Sequence, residues 1–447
     1  MEKKWSDLSW EEKREERFRK WLEAPGVEFV SPEAKEGYRK RVTRLVKAIK
    51  IEVPDRVPFF LPAGNFPAYY SDTTLMKTMY DYDELLRAWK NFRQDFDMDT
   101  AMGAGLVWPG RVFERIDYKL MKWPGHGLAP ETRTYQYVEG EYMMADEYDH
   151  LIQDPSDFWL RVIMPRIAGE LEPLKYLNAF NPMSGIPMGF IAPFGRPDVQ
   201  AAFQALMDAG KELEKWMKVT AEANREELIE GYPPFGGTFS GAPFDMIGDM
   251  LRGTHGIMLD MYKQPDKLLE ALEKITPMTI DMAVQGADAS LSPIVPMPLH
   301  KGADGFMSSE QFNIFYWPSL KEVLIGIINE GLVPMPLAES YYDKRLEVIR
   351  DMPRSSVVWW FERTDMAKAK EVLGDVSCIA GNVPTSLLST GTPQEIKEYC
   401  HNLIEIAGKG GGYILTGASS VEETTAENLH AIMDAVNEYG TYEGSSL

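Results

Sequence analysis

The 447-residue chain carries a formal net charge of −21, and 44% of its residues are hydrophobic and 11% aromatic. This composition supports a large core and excludes a disordered chain, while the negative charge disfavours nucleic acid and membrane surfaces as partners. The two cysteines, Cys378 and Cys400, exclude a disulfide framework and a zinc site built mainly from thiolates.

The first 50 residues combine Glu, Lys and Arg with regularly spaced aromatic side chains, a pattern typical of amphipathic helices. We expect an N-terminal helical extension, residues 1–50, packed on a larger body. The charged start does not resemble a signal peptide, and no window approaches the roughly 18 consecutive apolar residues of a membrane span. A cytoplasmic protein is therefore expected.

From residue 51 to 447, short apolar runs alternate with helical stretches, which predicts repeated β-α units. Eight runs are candidate strands, the second and third being weak: 57–61, 98–102, 234–239, 289–295, 332–337, 356–361, 376–380 and 412–416. Helices are predicted between the later strands at 309–330, 342–351, 365–373, 393–407 and 426–439. The predicted fold is a single α/β domain, a (β/α)8 TIM barrel.

Between residues 112 and 185 this alternation breaks. Residues 118–123, a Pro-Gly-His-Gly turn and residues 134–144 have alternating polar and apolar faces, which predicts a β-hairpin. We expect the whole segment to be an insertion near the active-site mouth of the barrel.

Polar residues follow the apolar runs, and the carboxyl ends of all strands in a (β/α)8 barrel meet at one mouth. These strand-end residues are Asn65, Ser240, His300, Asp304, Glu339, Glu362, Asn382, Ser419 and Ser420. Glu339 ends an apolar run, where an unpaired buried carboxylate would cost several kcal/mol, so a functional role is favoured. The other residues have structural alternatives as turn residues, helix caps, backbone partners or surface ion pairs.

Four stretches resemble the uroporphyrinogen decarboxylase superfamily, and the resemblance spans roughly residues 55–440. They are "FSGAPFDMIGDMLRGTHGIMLDMYKQPDKLLEALEKIT" from Phe239, "GADGFMSSEQFNIFYWPSLKEVL" from Gly302, "CIAGNVPTSLLSTGTPQEIKEYC" from Cys378 and "GGGYILTGASSVEETTAENLHAIM" from Gly410. The resemblance implies a (β/α)8 barrel with its site at the C-terminal mouth. It also implies one of two activities, porphyrinogen decarboxylation or methyl transfer to or from corrinoid proteins.

The decarboxylase branch carries an Arg-Gln-Ala-Gly-Arg-Tyr motif whose arginines hold substrate carboxylates. The matching stretch here, residues 61–66, reads Leu-Pro-Ala-Gly-Asn-Phe and lacks both arginines. The thiol-alkylating methyltransferase branch carries a zinc site with a His-x-Cys pair and a distant Cys. Those positions fall at Pro336–Ala338 and at 417–420, and no zinc ligand of that kind is present.

The segments "GEYMMADEYDHLIQDP" from Gly140, "AESYYDKRLEVI" from Ala338, "WWFERTD" from Trp359 and "IAGNVP" from Ile379 are more similar to a third group. That group contains the methyltransferase components of corrinoid systems, which remove a methyl group from an ether or similar donor (O-demethylation). The resemblance implies a corrinoid (cobalamin) cofactor carried by a partner protein and a small-molecule methyl donor or acceptor. The direction of transfer is left open, and a homodimer is an open alternative.

We predict catalytic roles for Glu339, His300 and Glu362, with His300 and Glu339 also able to ligate a metal such as zinc. The predicted substrate-binding residues are Asn65, Asp304, Trp360, Asn382 and Ser419. Two alternatives remain open. One is a decarboxylase acting on a less anionic acid, for which Arg196, Arg252 or Lys301 would supply the cation, and the other is a non-catalytic ligand-binding barrel.

Overall fold

The computed structural model describes residues 3–181 and 184–442. Residues 1–2, at the start of the predicted N-terminal extension, residues 182–183, within the predicted insertion, and residues 443–447, at the end of the predicted barrel, lie outside the described residues. Across the described ranges, none of the helices has both the length and the apolar character required to span a membrane.

The α-helices follow one another along the whole chain. They are α1 (Trp10–Glu23), α2 (Pro32–Ile49), α3 (Phe66–Tyr70), α4 (Leu75–Tyr80), α5 (Tyr82–Asp95), α6 (Gly110–Ile116), α7 (Tyr148–Gln153), α8 (Pro155–Phe158), α9 (Met164–Ile167), α10 (Pro187–Ile191), α11 (Pro197–Ile229), α12 (Pro243–Ile247), α13 (Gly253–Lys263), α14 (Pro265–Ala287), α15 (Ser309–Gln311), α16 (Trp317–Asn329), α17 (Leu346–Ile349), α18 (Met366–Leu373), α19 (Thr385–Thr390), α20 (Pro393–Leu403) and α21 (Ala426–Tyr439). The start of α20 has the capping box that its sequence predicts, formed by Thr392 and Glu395.

The strands form two sheets. Three short strands, β1 (Met121–Pro124), β2 (Gly127–Leu128) and β3 (Gln136–Tyr137), belong to the insertion. Five strands, β4 (Ile294–Leu299), β5 (Val333–Ala338), β6 (Val358–Phe361), β7 (Cys378–Val383) and β8 (Tyr413–Gly417), form a parallel sheet in chain order.

Three irregular segments, residues 57–62, 98–101 and 234–240, complete the ring between β8 and β4. Backbone contacts join them in sequence: Leu415 N–H to Pro58 O (2.9 Å), Asp99 N–H to Phe59 O (3.0 Å), the parallel bridge of Ala101 with Pro234, and Ser240 N–H to Pro296 O (3.0 Å). The chain therefore forms the (β/α)8 barrel that its sequence predicts.

Prolines explain why the third segment pairs so weakly. Pro296 and Pro298 of β4 occupy the alternate positions that face this segment, as the bond from Ser240 N–H to the Pro296 carbonyl demonstrates. Proline has no N–H, so β4 offers no donor at either position. One strand boundary is wrong: the predicted strand at 289–295 is in fact Ile294–Leu299 and continues through both prolines.

The interior of the barrel is apolar from the middle of the strands down to their amino ends. Inward-facing Val333, Met335, Val358 and Trp360 are in one buried cluster with Trp21 of α1 and with side chains of α2. Helices α1 and α2 therefore pack across the amino-terminal end of the barrel and close it. The outward-facing strand residues belong to a separate cluster that packs against the surrounding helices.

The insertion lies against the opposite, carboxyl-terminal end. Strand β1 pairs antiparallel with β3, Met121 with Tyr137, which gives the predicted hairpin. The Tyr137 hydroxyl donates to the backbone carbonyl of Asp249, and the backbone N–H groups of Tyr142 and Met143 donate to the Leu251 carbonyl. These bonds hold the insertion beside the chain that follows the third barrel segment.

One predicted helix is much shorter than expected. Only Leu346–Ile349 of the predicted helix at 342–351 is helical. The Tyr342 N–H donates to the Thr364 hydroxyl and the Lys344 N–H to Asp304 Oδ2. These contacts with the loops after the neighbouring strands hold residues 342–344 outside the helix, and no local propensity could have predicted them.

Candidate active site

Five polar side chains lie next to one another at the carboxyl ends of β4 to β8. The strand registers pair Leu299 with Ala338, Ala338 with Phe361, Trp360 with Ala380, and Asn382 with Thr416. When each of these pairings is continued by one or two residues towards the carboxyl end, five residues align across the sheet. We call them the polar row: His300, Glu339, Glu362, Asn382 and Thr416. Each residue lies two positions beyond an inward-facing residue of its strand, so strand alternation directs all five towards the barrel mouth.

His300 is held between two carboxylates. Its Nδ1 lies 2.6 Å from Asp249 Oδ2 and its Nε2 lies 3.6 Å from Glu339 Oε1. The hydrogen bond to Asp249 raises the pKa of His300 to about 9, with the negative charge of Glu339 adding to the effect and burial opposing it. The imidazole is therefore protonated on both nitrogens at neutral pH.

Two aspartates in the helical stretch that follows the third barrel segment fix this arrangement. Asp245 is buried and accepts the backbone N–H groups of His300 and Lys301, both at 2.9 Å. Burial raises the pKa of Asp245 to about 6. Burial also disfavours ionised Asp249, but hydrogen bonds from His300 and Lys301 outweigh it and lower the Asp249 pKa. The Lys301 ammonium lies 2.5 Å from Asp249 Oδ1.

Glu339 faces the open side of His300. Burial raises the pKa of its carboxyl, the nearby charge of His300 lowers it, and the charges of Glu362, Asp245 and Asp249 raise it again. The side chains of His300 and Glu339 remain 41% and 39% exposed. Both groups therefore reach the solvent at the mouth, where a bound molecule can contact them.

Glu362 and Asn382 lie on the other side of Glu339. Glu362 accepts the Ser340 N–H at 2.5 Å, and Asn382 Nδ2 donates to the Thr364 carbonyl at 2.9 Å. Both side chains also line a cavity of about 850 Å³ between the loops that follow β6 and β7, which we call the Asn382 cavity. Its other walls include Tyr341, Asp343, Arg363, Asp365, Met366, Tyr399, Leu403 and Ile406.

Asn65 and Ser419 lie on the remaining side of the mouth, after the first segment and β8. The buried Asn65 donates from its backbone N–H to Glu422 Oε2 at 3.1 Å and from Nδ2 to the Arg133 carbonyl at 3.3 Å. Burial raises the pKa of Glu422 to about 7. Ser419 and Glu422 line a second cavity of about 590 Å³ with Arg133.

Asp304 and Trp360 have partners within the protein. Asp304 accepts the Lys344 N–H at 3.0 Å and lies 3.4 Å from Nε of the buried Arg345. Trp360 is buried in the barrel interior and donates from Nε1 to the Gly417 carbonyl at 2.9 Å. It lies two residues before Glu362 and forms part of the floor beneath the polar row. For both residues, substrate contact stays a prediction.

Sequence reasoning missed Asp245 and Asp249. Their i, i+4 spacing in "FDMIGD" places both carboxylates on the same face of a helical turn, and this was the available signal. The spacing is common in exposed helices. Its meaning depends on contacts with His300 and Lys301, which lie more than 50 residues away along the chain.

Over residues 3–181 and 184–442, no three His, Cys, Asp or Glu side chains converge as a metal site. His300 and Glu339 together supply two potential ligands. The arrangement of these two side chains is well suited to proton transfer, because a charged imidazolium points its Nε2 proton into an open mouth beside a second carboxyl group.

A family model described as uroporphyrinogen decarboxylase (URO-D) matches residues 196–439, more than half of the 447-residue chain. No curated protein matches the sequence. Among solved structures, a methyltransferase from Methanosarcina mazei superposes with a TM-score of 0.55 and 15% sequence identity, covering 89% of this chain and 98% of that chain. At this identity the structural similarity concerns the fold alone. The family match covers the third segment, β4 to β8 and the whole polar row, and the chain belongs to the URO-D family.

Proposed function

We propose that this URO-D family member is a corrinoid-dependent methyltransferase. Its reaction would move a methyl group between a small, largely apolar donor, such as a methyl ether, and the cobalt of a separate corrinoid protein. The observation that carries the proposal is the position of His300, whose ring is hydrogen-bonded to Asp249 and faces Glu339 at an open mouth.

The roles of the residues follow from demethylation of an ether. Reduced corrinoid supplies a strong nucleophile for the methyl carbon. When the methyl–oxygen bond breaks, its electron pair stays on the oxygen, which must gain a proton. His300 donates that proton from Nε2 and keeps its Nδ1 proton bonded to Asp249, while Glu339 orients the ring and exchanges protons with solvent.

The mouth is suited to a macromolecular partner. The acid pair of His300 and Glu339 is partly exposed. The apolar side chains of Phe239, Met250 and Tyr341, each at least half exposed, lie close in sequence to Ser240, Asp249 and Glu339. A corrinoid carried by another protein needs this kind of open, partly apolar approach to the bound methyl group.

Decarboxylation is less well supported, because the three cations considered for it already have carboxylate partners. Arg252 is buried with Nε 2.6 Å from Asp260, Lys301 pairs with Asp249 at 2.5 Å, and Arg196 pairs with Asp198 at 2.8 Å. A substrate carboxylate would have to displace one of these partners, which favours a neutral substrate.

Purified protein mixed with reduced cobalamin and a panel of methyl ethers should form methylcobalamin, detected by its absorbance. The variant His300→Gln should bind the same ether and form methylcobalamin far more slowly. Carbon dioxide release from candidate acids, without methylcobalamin formation from any ether, would contradict the proposal and favour a lyase.

A further inference from the structure

The Asn382 cavity opens directly off the polar row, because Glu362 and Asn382 belong to both. His300 and Asn382 are separated by three strand spacings of about 4.8 Å, roughly 14 Å along the barrel wall. Because strand alternation points both side chains into the mouth, their ends converge and the gap between them is shorter than this arc. One ring-sized molecule can therefore lie with its methyl ether towards His300 and its other end towards Asn382.

The amide orientation of Asn382 is fixed by its neighbour. The Thr364 carbonyl can only accept a hydrogen bond, so the Asn382 nitrogen must face it and Oδ1 must face away. Asn382 is only 5% exposed, and none of the described residues donates to its Oδ1. The hydroxyl of Thr416, next in the polar row, is also buried without a partner among them. A buried acceptor of this kind favours a ligand that brings a donor to it.

The charged groups around the cavity determine which ligand charge is favoured. Glu362, Asp343 and Asp365 supply carboxylates, and Asp365 uses Oδ1 to cap α18. The cation among the lining residues, Arg363, is 60% exposed and lies 3.5 Å from Glu362. A carboxylate ligand would face repulsion here, whereas a hydroxyl or an ammonium group would find acceptors.

The remaining walls combine apolar side chains with the hydroxyl residues Thr364, Thr385 and Ser386. The apolar surface of the cavity comes from Tyr341, Met366, Tyr399, Leu403 and Ile406. The volume of about 850 Å³ lies within the range of sites that bury small organic ligands. The cavity thus suits an apolar, ring-sized body that ends in a hydrogen-bond donor.

We infer that the Asn382 cavity binds the non-methyl part of the substrate and that Asn382 Oδ1 selects substrates bearing a hydroxyl or ammonium donor. The inference rests on the proposed function, because it takes the methyl ether of the same molecule to lie at His300. It makes Asn382 a specificity-determining residue, separate from the proton donor.

Equilibrium binding of four matched probes tests this selection without any corrinoid present: 4-methoxyphenol, 4-methoxybenzylamine, 4-methoxytoluene and 4-methoxybenzoate. The protein should bind the phenol and the amine about tenfold more tightly than the toluene, as expected for one buried hydrogen bond, and the benzoate most weakly. Asn382→Ala should remove this preference while leaving the affinity for 4-methoxytoluene unchanged. Asn437→Ala, on the exposed face of α21, is the matched control and should change none of the four affinities.

Asn382→Asp provides a second test that does not depend on the folding of the alanine variant. The added negative charge should strengthen binding of the amine relative to the phenol. Equal affinities for the phenol and the toluene would mean that water satisfies Oδ1, and this result would overturn the inference. Tightest binding of the benzoate, no binding of either donor-bearing probe, or an unchanged preference in Asn382→Ala would overturn it too. Because methylcobalamin formation is measured separately, failure of methyl transfer and failure of this selection are distinguishable.

Discussion

The two ends of the barrel use the same strand alternation for opposite purposes. At the amino-terminal end, inward positions carry apolar side chains such as Val333 and Val358, which pack against Trp21 of α1. At the carboxyl-terminal end, the same inward register carries the polar row. The amino-terminal end therefore excludes water, while the carboxyl-terminal end keeps charged and unpartnered groups available for a ligand.

The first prediction concerns a substitution at the polar, carboxyl-terminal end of the barrel, and it has the largest expected effect. His300→Gln keeps a side chain that can hydrogen-bond but cannot carry the proton, so methylcobalamin formation should fall about 10²- to 10⁴-fold. Single-turnover absorbance measures the rate, and thermal unfolding should differ little from that of the parent protein. A rate within twofold of the parent would remove His300 from the reaction.

The second prediction concerns a substitution at the apolar, amino-terminal end of the barrel. Trp21 is fully buried, so Trp21→Ala should lower the free energy of unfolding by about 3–5 kcal/mol. Denaturant unfolding measures this loss, with Trp21→Phe as the conservative control. The folded fraction should keep its rate of methyl transfer, and a rate loss matching that of His300→Gln would contradict the separation of the two ends.

The third prediction concerns one hydrogen bond at the mouth, the bond between His300 and Asp249. In Asp249→Asn the pKa of His300 should fall from about 9 towards its ordinary value of 6.5, because the bond to Asp249 is the largest cause of the shift. NMR titration of the His300 ring measures this pKa. Glu339→Gln should lower the pKa of His300 less than Asp249→Asn does. Because the pKa of His300 is raised in the folded protein, its protonation stabilises the fold fully below pH 6.5, and this contribution to the free energy of unfolding is lost as the pH rises through about 9. The loss should be smaller in Asp249→Asn.

The fourth and smallest prediction compares two buried threonines. The hydroxyl of Thr416 has no partner among the described residues, whereas that of Thr100 donates to the Pro233 carbonyl at 2.9 Å. Thr416→Val should leave the free energy of unfolding unchanged or raise it by about 1 kcal/mol, while Thr100→Val should lower it by about 1 kcal/mol. Equal losses in both variants would mean that Thr416 has a structural hydrogen bond.

Much of the barrel could be predicted from sequence, because its five regular strands are short apolar runs and most of the later helices have a clear start. Three of the predicted strands are irregular segments of the barrel wall instead. The start of β4 could not be predicted, because the Ser292 hydroxyl donates to the distant Phe235 carbonyl and accepts the Ile294 N–H. The contacts of residues 342–344 are likewise non-local. The strand-end rule brought His300, Glu339, Glu362 and Asn382 into one candidate set, and the structure places them in adjacent register. Asp249 was not predicted, because its partner His300 lies 51 residues further along the chain.

The central claim is that protonated His300 delivers the proton to the leaving oxygen. The most direct test is the pH dependence of single-turnover methylcobalamin formation, compared between the parent protein and Asp249→Asn. We predict a rate that is constant up to about pH 9 and falls above it, with the fall moving towards pH 6.5 in Asp249→Asn. A rate that rises through pH 9, or a profile that is identical in the two proteins, would contradict it.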